Sequence, residues 1–238
     1  MRILITNDDG YLAPGIQCLR KILLELGHEV ALIAPHEDNS AISHSISLGK
    51  EILVKRHGDD IYSLTGTPAD SIVVAMNAGL IDKPDLVISG INKGGNMGED
   101  VHYSGTVAAA VEAAFAGYYS MAVSLSSRVH GDYMAISPFM KELIERALRS
   151  KPGTFLNVNY DPTKPIKGVK ETRLGSRTYM DHFEISKWED DTARAILKPA
   201  ENIPDLREGT DYYALNEGYI SVTLLSTDWT EADSDEGR

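Results

Sequence analysis

The sequence lacks most features of an extracellular or membrane protein. It has a single cysteine, Cys18, so an internal disulfide is excluded. No apolar run approaches the roughly 20 residues that a membrane span needs. Met1-Arg2 leads directly into an apolar segment with strand character, without the apolar region of a signal peptide. We therefore expect a cytoplasmic protein with no membrane partner.

Basic residues are also scarce. The 23 Lys and Arg residues face 35 Asp and Glu residues, which gives a formal net charge of −12. This excess of negative charge disfavours a nucleic-acid duplex or an anionic membrane as the main partner. An anionic substrate would need a local cation to offset it.

The best-known nucleotide and metal motifs are absent. Neither G-x-x-x-x-G-K-[ST] nor G-x-G-x-x-G occurs, which disfavours a P-loop NTPase and a dinucleotide enzyme. The histidines show no H-E-x-x-H or other zinc-ligand spacing. A phosphoaspartyl phosphatase would separate its two acids by one residue, whereas Asp8 and Asp9 are adjacent.

Segments with strand character alternate with helical periodicity through the first 160 residues. The apolar run from Ile3 to Thr6 indicates a buried strand, and Pro14 begins a segment whose apolar residues recur at helical spacing. This alternation predicts βαβ units with right-handed crossovers. We predict an α/β fold: a Rossmann-like three-layer αβα architecture with a mainly parallel sheet, plus a β-rich C-terminal appendage.

The pattern changes near residue 160, where Pro162 and Pro165 are followed by short polar segments. We predict a Rossmann-like catalytic core over 1–160. Residues 161–230 are expected to supply a β-rich segment for oligomerisation and a closing strand of the core, and 231–238 an acidic tail. Hairpins too polar to form their own core commonly pack on another subunit, so a homo-oligomer is expected.

Three segments of the core have specific predicted structures. Ile46 to Val54 and Ile61 to Leu64 are predicted as the two strands of a hairpin, and Tyr133 to Arg149 as a helix. Gly90 to Gly105 is predicted as a glycine-rich loop between a strand and an alanine-rich helix.

The adjacent acids Asp8 and Asp9 are the first candidate site. They follow the predicted first strand directly, and ligands bind at the carboxyl ends of strands in open α/β sheets. Two neighbouring carboxylates suit Mg²⁺, Mn²⁺ or Ca²⁺, which would relieve their repulsion. Alternatively, one acid caps the turn at Gly10 and the other is solvated.

The loop after Ser89 is the second candidate site. Its glycines let backbone N–H groups approach a phosphate closely, and Ser104-Gly105-Thr106 places hydroxyls and amides at the start of the next helix. Both candidate loops follow predicted parallel strands, so they should lie at the same edge of the sheet. The alternative is a long turn without a binding role.

The sequence contains a series of specific motifs in a fixed order. They are Asn7-Asp8-Asp9-Gly10, Ala34-Pro35 followed by Ser40, Gly66-Thr67-Pro68-Ala69-Asp70, Ser89-Gly90-Ile91-Asn92, the run from Asn96 to Ala110 containing Tyr103-Ser104-Gly105-Thr106, and the late Gly209-Thr210-Asp211, Glu217-Gly218-Tyr219 and Ser221-Val222-Thr223. Together these motifs resemble the SurE (survival protein E) phosphatases, and the match extends over nearly the whole chain.

The resemblance implies a divalent-metal-dependent phosphatase that hydrolyses nucleoside monophosphates and assembles as dimers or tetramers. One divalent ion per subunit, Mg²⁺ or Mn²⁺, is expected. By position, the metal ligands would be Asp8, Asp9, Ser40 and Asn92, with Asp8 or Asp9 also acting in catalysis. The phosphate would be held by Asn96, Ser104, Gly105 and Thr106.

The sequence departs from the family pattern at three places and leaves other activities open. Ala41 stands where Gly is usual, Gly95 where Pro is common, and Glu99 replaces a frequent Asp. A broad phosphomonoesterase, a polyphosphate hydrolase and a non-catalytic nucleotide-binding module are the alternative functions. The sequence selects neither the base, nor the 5′ or 3′ ester, nor the metal.

Overall fold

The computed structural model describes residues 1–127, 131–178, 182–198 and 203–230. The helices are α1 (Pro14–Glu25), α2 (Pro68–Asn77), α3 (Gly105–Phe115), α4 (Met140–Ala147) and α5 (Asp211–Asn216). The strands are β1 (Arg2–Thr6), β2 (Glu29–Pro35), β3 (Val54–Gly58), β4 (Ile61–Leu64), β5 (Leu86–Lys93), β6 (Tyr119–Leu125), β7 (Thr154–Tyr160), β8 (Val169–Thr172), β9 (Arg177–Thr178), β10 (His182–Ile185), β11 (Ala195–Lys198), β12 (Ile203–Pro204) and β13 (Ile220–Ser226).

A nine-stranded sheet in the order β3-β4-β2-β1-β5-β6-β7-β13-β8 forms the centre of the fold. The strands from β4 to β7 in this order are parallel to one another, while β3 and β13 pair antiparallel with their neighbours β4 and β7. The strand order reverses between β1 and β5. In doubly wound sheets this switch point opens a crevice at the carboxyl ends of the strands.

Helices cover both faces of the sheet. Leu19 of α1 and Leu143 of α4 belong to one apolar cluster, whereas Ile72 of α2 and Ala109 of α3 belong to another. The sheet therefore lies between two helical layers, which confirms the predicted three-layer Rossmann-like fold.

Local sequence explains the best-defined helix start near the crevice. Thr67 caps α2 by accepting a hydrogen bond from the Asp70 N–H, and the Asp70 carboxylate accepts one from the Thr67 N–H. Pro68 occupies the first turn, where its missing N–H costs nothing. Asp70 also accepts a hydrogen bond from the Ser47 N–H at 3.0 Å and so fixes the preceding loop.

Three predicted segments need correction. The first hairpin strand is Val54–Gly58, because a turn closed by the Lys50 N–H and Ser47 carbonyl, with Gly49 at a φ of 70°, interrupts 46–54. The segment Tyr133–Phe139 is a 3-10 helix containing Pro138, and α4 begins only at Met140. The glycine-rich loop is shorter than predicted, since β5 continues to Lys93.

The C-terminal segment contributes to the central sheet. Its strands β8 and β13 extend the sheet beyond β7, while β10 pairs with β11 and β9 with β12 in two small antiparallel sheets. The predicted acidic tail over 231–238 lies outside the described residues. Among the helices described, none combines the length and apolar character needed to cross a membrane.

Candidate active site

A polar cavity of about 470 Å³ lies at the switch point of the sheet. Asp8 and Asp9 follow β1, and Asn92 lies near the end of β5, which pairs with β1. The residues lining the cavity are Asp8, Asp9, Asp38, Ser40, Ala41, Asn92, Lys93, Gly94, Gly95, Asn96, Asp100, Tyr103 and Ser104.

Asp8 is the most buried acid of the cavity, at 4% exposure. Burial raises the pKa of this carboxyl to about 6, against an opposing hydrogen bond donated by the Thr106 hydroxyl, and the neighbouring Asp9 charge raises it further. The carboxylate is thus poorly solvated and repelled by its neighbour. A cation in the cavity would stabilise its charged form.

Asp9 lies beside the end of β5. Its Oδ2 accepts a hydrogen bond from the Lys93 backbone N–H at 3.2 Å. Burial raises the pKa of Asp9; the Lys93 N–H opposes this rise, and the nearby Asp38 charge adds to it. Four carboxylates in all line the cavity, those of Asp8, Asp9, Asp38 and Asp100.

The loop after β2 carries Ser40 to this cavity. The Asn39 N–H donates to the Asp8 carbonyl at 2.7 Å, which ties the loop to the end of β1. Asp38 Oδ1 accepts hydrogen bonds from the Ser40 N–H at 2.7 Å and from its hydroxyl at 2.6 Å. Ala41 follows Ser40 directly and adopts a left-handed φ of 56°.

Asn92 is oriented by its own loop. Its Nδ2 donates to the Gly94 carbonyl at 2.7 Å, so its side-chain oxygen is the atom left to bind a cation. Within the described ranges, no group of three His, Cys, Asp or Glu side chains is placed to hold a metal ion. A metal here would therefore rely on neutral oxygens, such as those of Ser40 and Asn92, beside the carboxylates.

Two asparagines of β7 hold Asn96 in place in the loop that follows β5. Its backbone N–H donates to Asn159 Oδ1 at 2.8 Å, and its carbonyl accepts from Nδ2 of Asn157 at 2.8 Å and of Asn159 at 3.0 Å. Its own Nδ2 donates to the Ser124 hydroxyl at 2.8 Å. This buried amide cluster fixes the loop through its main chain.

The sequence analysis did not identify Asn157 and Asn159 as site residues. A signal was present, because two asparagines with a spacing of two lie on one face of an otherwise apolar strand. Both are fully buried, where an amide must find hydrogen-bonding partners.

Helix α5 holds the same loop from the other side. Asp211 Oδ2 accepts from the Gly98 N–H at 2.9 Å, and the Tyr212 hydroxyl donates to the Met97 carbonyl at 3.1 Å. Arg177 pairs with Asp100 at 2.7 Å. The C-terminal segment thus contacts the site loop directly, which the sequence analysis did not anticipate.

The amino end of α3 forms the wall next to Asp8. The Ser104 hydroxyl caps the helix by accepting from the Val107 N–H at 3.0 Å. Gly105 packs so closely that an added Cβ would lie 3.0 Å from the Asp8 Cβ. Thr106 is buried behind the lining, with its hydroxyl donating to Asp8.

The structure brings the predicted site residues into one region. Six of them line the cavity, namely Asp8, Asp9, Ser40, Asn92, Asn96 and Ser104. The other two, Gly105 and Thr106, contact Asp8 from behind that lining.

Comparisons with known proteins agree in pointing to one family. The family described as Survival protein SurE matches residues 3–181. The 5'-nucleotidase SurE of Desulfitobacterium hafniense strain DSM 10664 / DCB-2 is 40% identical over 244 residues, covering 97% of this chain and 93% of that protein. The 5'-nucleotidase SurE of Nitrosomonas europaea is 38% identical, covering 98% of this chain and 96% of that protein.

A solved structure agrees with this fold. The crystal structure of the SurE protein from Aquifex aeolicus superposes with a TM-score of 0.83 at 35% identity, covering 97% of this chain and 95% of that one. The predicted resemblance is thus confirmed, and the chain belongs to the SurE family.

Proposed function

We propose that this chain is a divalent-metal-dependent phosphatase that hydrolyses nucleoside monophosphates to nucleoside and phosphate. The main observation is the convergence of the Asp8–Asp9 pair, the end of β5 and the amino end of α3 on one polar cavity. Carboxylates suit a hard cation, and a helix amino end suits an anion. The names of the relatives, 5'-nucleotidase SurE, support the substrate class.

The proposed metal ligands are Asp8, Asp9, Ser40 and Asn92, for one Mg²⁺ or Mn²⁺ ion per subunit. The donor set fits such an ion because all four side chains offer oxygen. Two carboxylates balance the charge of the ion, and the neutral oxygens of Ser40 and Asn92 add coordination without further negative charge. The burial and mutual repulsion of Asp8 and Asp9 favour a cation between them.

For the reaction we propose in-line attack of water on the phosphorus atom of the substrate, which breaks the P–O ester bond on the opposite side and releases the nucleoside, whose oxygen takes up a proton. When bound, the ion supplies Lewis-acid activation and a template for the phosphate oxygens. Asp8 or Asp9 accepts the proton from the attacking water. The Thr106 hydroxyl orients the Asp8 carboxylate for its role.

The phosphate-binding residues in this proposal are Asn96, Ser104, Gly105 and Thr106. Ser104 and Asn96 line the cavity, and Ser104 is the N-cap of α3, whose amino end carries positive partial charge. These donors would stabilise charge on the equatorial phosphate oxygens. Asn157 and Asn159 hold the loop in place for this contact.

We also propose that the protein works as a homo-oligomer, a dimer or tetramer, in the cytoplasm. The β10–β11 ribbon pairs Phe183 with Leu197, and these side chains are 64% and 52% exposed. An isolated two-stranded ribbon is only marginally stable. Burial of this apolar face against another copy would stabilise it.

Phosphate release from AMP, GMP, 3′-nucleotides, p-nitrophenyl phosphate and polyphosphate, with Mn²⁺ and with EDTA, tests the function. We expect metal-dependent release from nucleoside monophosphates with the highest kcat/KM. Equal rates on all small esters would indicate a broad phosphomonoesterase, preference for polyphosphate a polyphosphate hydrolase, and binding without turnover a nucleotide-binding module.

The Asp9→Asn variant tests the metal assignment. The amide keeps the size of the side chain but removes one negative charge, so Mn²⁺ affinity and phosphatase activity should fall together. Full activity with unchanged metal affinity would refute the assignment.

A further inference from the structure

Negatively charged side chains outnumber positively charged ones in the lining of the cavity. Four aspartates line it, namely Asp8, Asp9, Asp38 and Asp100, and the positively charged side chain among the lining residues is Lys93. Arg177 pairs with Asp100 at 2.7 Å and balances that carboxylate. Three acids thus remain to be balanced near the proposed site.

This inequality creates a problem for an anionic substrate. A phosphate monoester carries a charge of about −1.5 to −2 at pH 7. A divalent cation only cancels the charges of Asp8 and Asp9, so Asp38 and the incoming phosphate remain uncompensated. Helix amides offer partial charges, and a full positive charge would lower the cost further.

Lys93 is placed to supply that charge. Its backbone N–H donates to Asp9 Oδ2 at 3.2 Å, which fixes its main chain beside the proposed metal ligands. Its side chain is exposed and forms no ion pair with any carboxylate in the described part of the chain. The ammonium group is therefore available to an incoming anion.

We propose that Lys93 is a substrate-binding residue whose ammonium group contacts the non-bridging phosphate oxygens of the ester. This inference rests on the proposed function and adds a residue to its site. A lysine suits the task, since its flexible stem presents a point charge with three donors. Lys93 and Ser104, the N-cap of α3, both line the cavity, so the ammonium group and the helix amino end would act on the same phosphate.

The same charge has an opposite effect on the metal. A cation beside Asp9 attracts phosphate and repels a divalent ion. Removal of the ammonium group should therefore weaken phosphate binding and tighten metal binding to the metal-free protein. Damage to the fold would weaken the binding of both phosphate and metal. Opposite changes in the two affinities would therefore indicate a binding role and not a structural one.

The test compares Lys93→Met, Lys93→Arg and the wild-type protein. Every variant keeps the backbone N–H that bonds to Asp9, so only the side-chain charge changes. Isothermal titration measures Mn²⁺ binding to metal-free protein and inorganic phosphate binding at saturating Mn²⁺. We expect K93M to bind phosphate about fivefold to tenfold more weakly and Mn²⁺ about twofold to fivefold more tightly at low salt, and K93R to stay close to wild type.

Ionic strength and a matched lysine supply the controls. The phosphate defect of K93M should shrink as salt rises from about 20 mM to 500 mM, because screening weakens an exposed charge. Lys141→Met, an exposed lysine on α4, should change neither affinity. Unchanged phosphate affinity in K93M at low salt would overturn the proposal. So would a loss of phosphate affinity that is the same at high salt and is equally large in K93R.

The proposed function can fail separately. If the wild-type protein releases no phosphate from any ester, yet phosphate binding depends on Lys93 as described, the catalytic assignment is wrong and the Lys93 assignment stands. If turnover of nucleoside monophosphates is normal in K93M, with KM unchanged at low salt, the catalytic assignment stands and the Lys93 assignment is wrong.

Discussion

Asn159 bonds both polar groups of the Asn96 main chain, with Oδ1 accepting from its N–H at 2.8 Å and Nδ2 donating to its carbonyl at 3.0 Å. One side chain from the sheet thus fixes the two peptide groups that flank the Asn96 Cα. Only a primary amide offers a donor and an acceptor in this arrangement.

Replacement of Asn159 by Leu should disturb the loop more than the sheet. It leaves the buried Asn96 N–H without its acceptor, so we expect a destabilisation of about 1–3 kcal/mol and a loss of phosphate affinity of about tenfold. Thermal unfolding and phosphate titration measure the two effects. Ser221→Ala is the matched control, since Ser221 lies opposite Asn159 on β13 and bonds to Thr172. Equal phosphate affinity in both variants would contradict this role.

Thr106 should act through Asp8. The Thr106→Val variant keeps the shape of the side chain but removes the hydroxyl that donates to Asp8 Oδ1, so the buried carboxylate keeps only its backbone donors. We expect Mn²⁺ affinity to fall about tenfold, and Thr106→Ser, which keeps the hydroxyl, to retain most of it. Titration of the metal-free proteins with Mn²⁺ measures this effect. Equal Mn²⁺ affinities in the Val and Ser variants would refute the proposed action of the Thr106 hydroxyl through Asp8.

The Asp70 cap predicts a pH dependence of stability away from the site. Burial pushes the pKa of Asp70 upward, but hydrogen bonds from the N–H groups of Ser47 and Thr67 outweigh it and hold the pKa below the usual 3.8. Because the pKa of Asp70 is lower in the folded state than in the unfolded state, the ionised carboxylate stabilises the protein at pH values above the unfolded-state pKa. This stabilisation is lost as the pH falls through the folded-state pKa. Near pH 7 the free energy of unfolding of the wild-type protein should exceed that of Asp70→Asn by about 1–2 kcal/mol.

Urea unfolding of both proteins between pH 3 and 7 measures this difference. It should narrow below about pH 4, since there the wild-type carboxylate becomes protonated. A gap that stays constant over this range would show that the carboxylate charge is not the stabilising element.

Charged substitutions on the apolar face of the β10–β11 ribbon should impair assembly of the oligomer. Phe183→Asp combined with Leu197→Asp places two charges on that face, so the proposed contact with another copy should weaken strongly. Light scattering coupled to gel filtration should show a shift to a smaller species. Glu184→Gln, on the opposite face of β10, is the control and should leave the mass unchanged. An unchanged mass in the double variant would refute this interface.

The parts of the site that follow from local sequence could be predicted. Asp8 and Asp9 come directly after a short apolar strand, and Ser104 precedes an alanine-rich helix, so a few neighbouring residues suffice to place them. The strand order that brings Asn92 beside them follows from the general behaviour of parallel βαβ units.

Contacts between distant segments could not be predicted in the same way. Asn159 and Asn96 are 63 residues apart, and Asp211 and Gly98 are 113 apart, so nothing in either neighbourhood indicates its partner. The extension of β5 to Lys93 was also missed, since glycine and asparagine are weak strand formers. Pairing of β5 with β6, up to Leu125, outweighs that local preference.

The contact between α5 and the loop at Gly98 has a consequence for protein synthesis. A chain leaves the ribosome from its amino end, and its early segments can begin to fold before later ones exist. Every proposed metal and phosphate ligand is present once Thr106 has emerged, but Asp211 and Tyr212 are made more than a hundred residues later. A nascent chain that ends between residues 160 and 210 therefore carries all the chemical groups of the site and the asparagines of β7, while the loop at Met97 and Gly98 still lacks its contacts with α5. Activity should mature only near the end of translation.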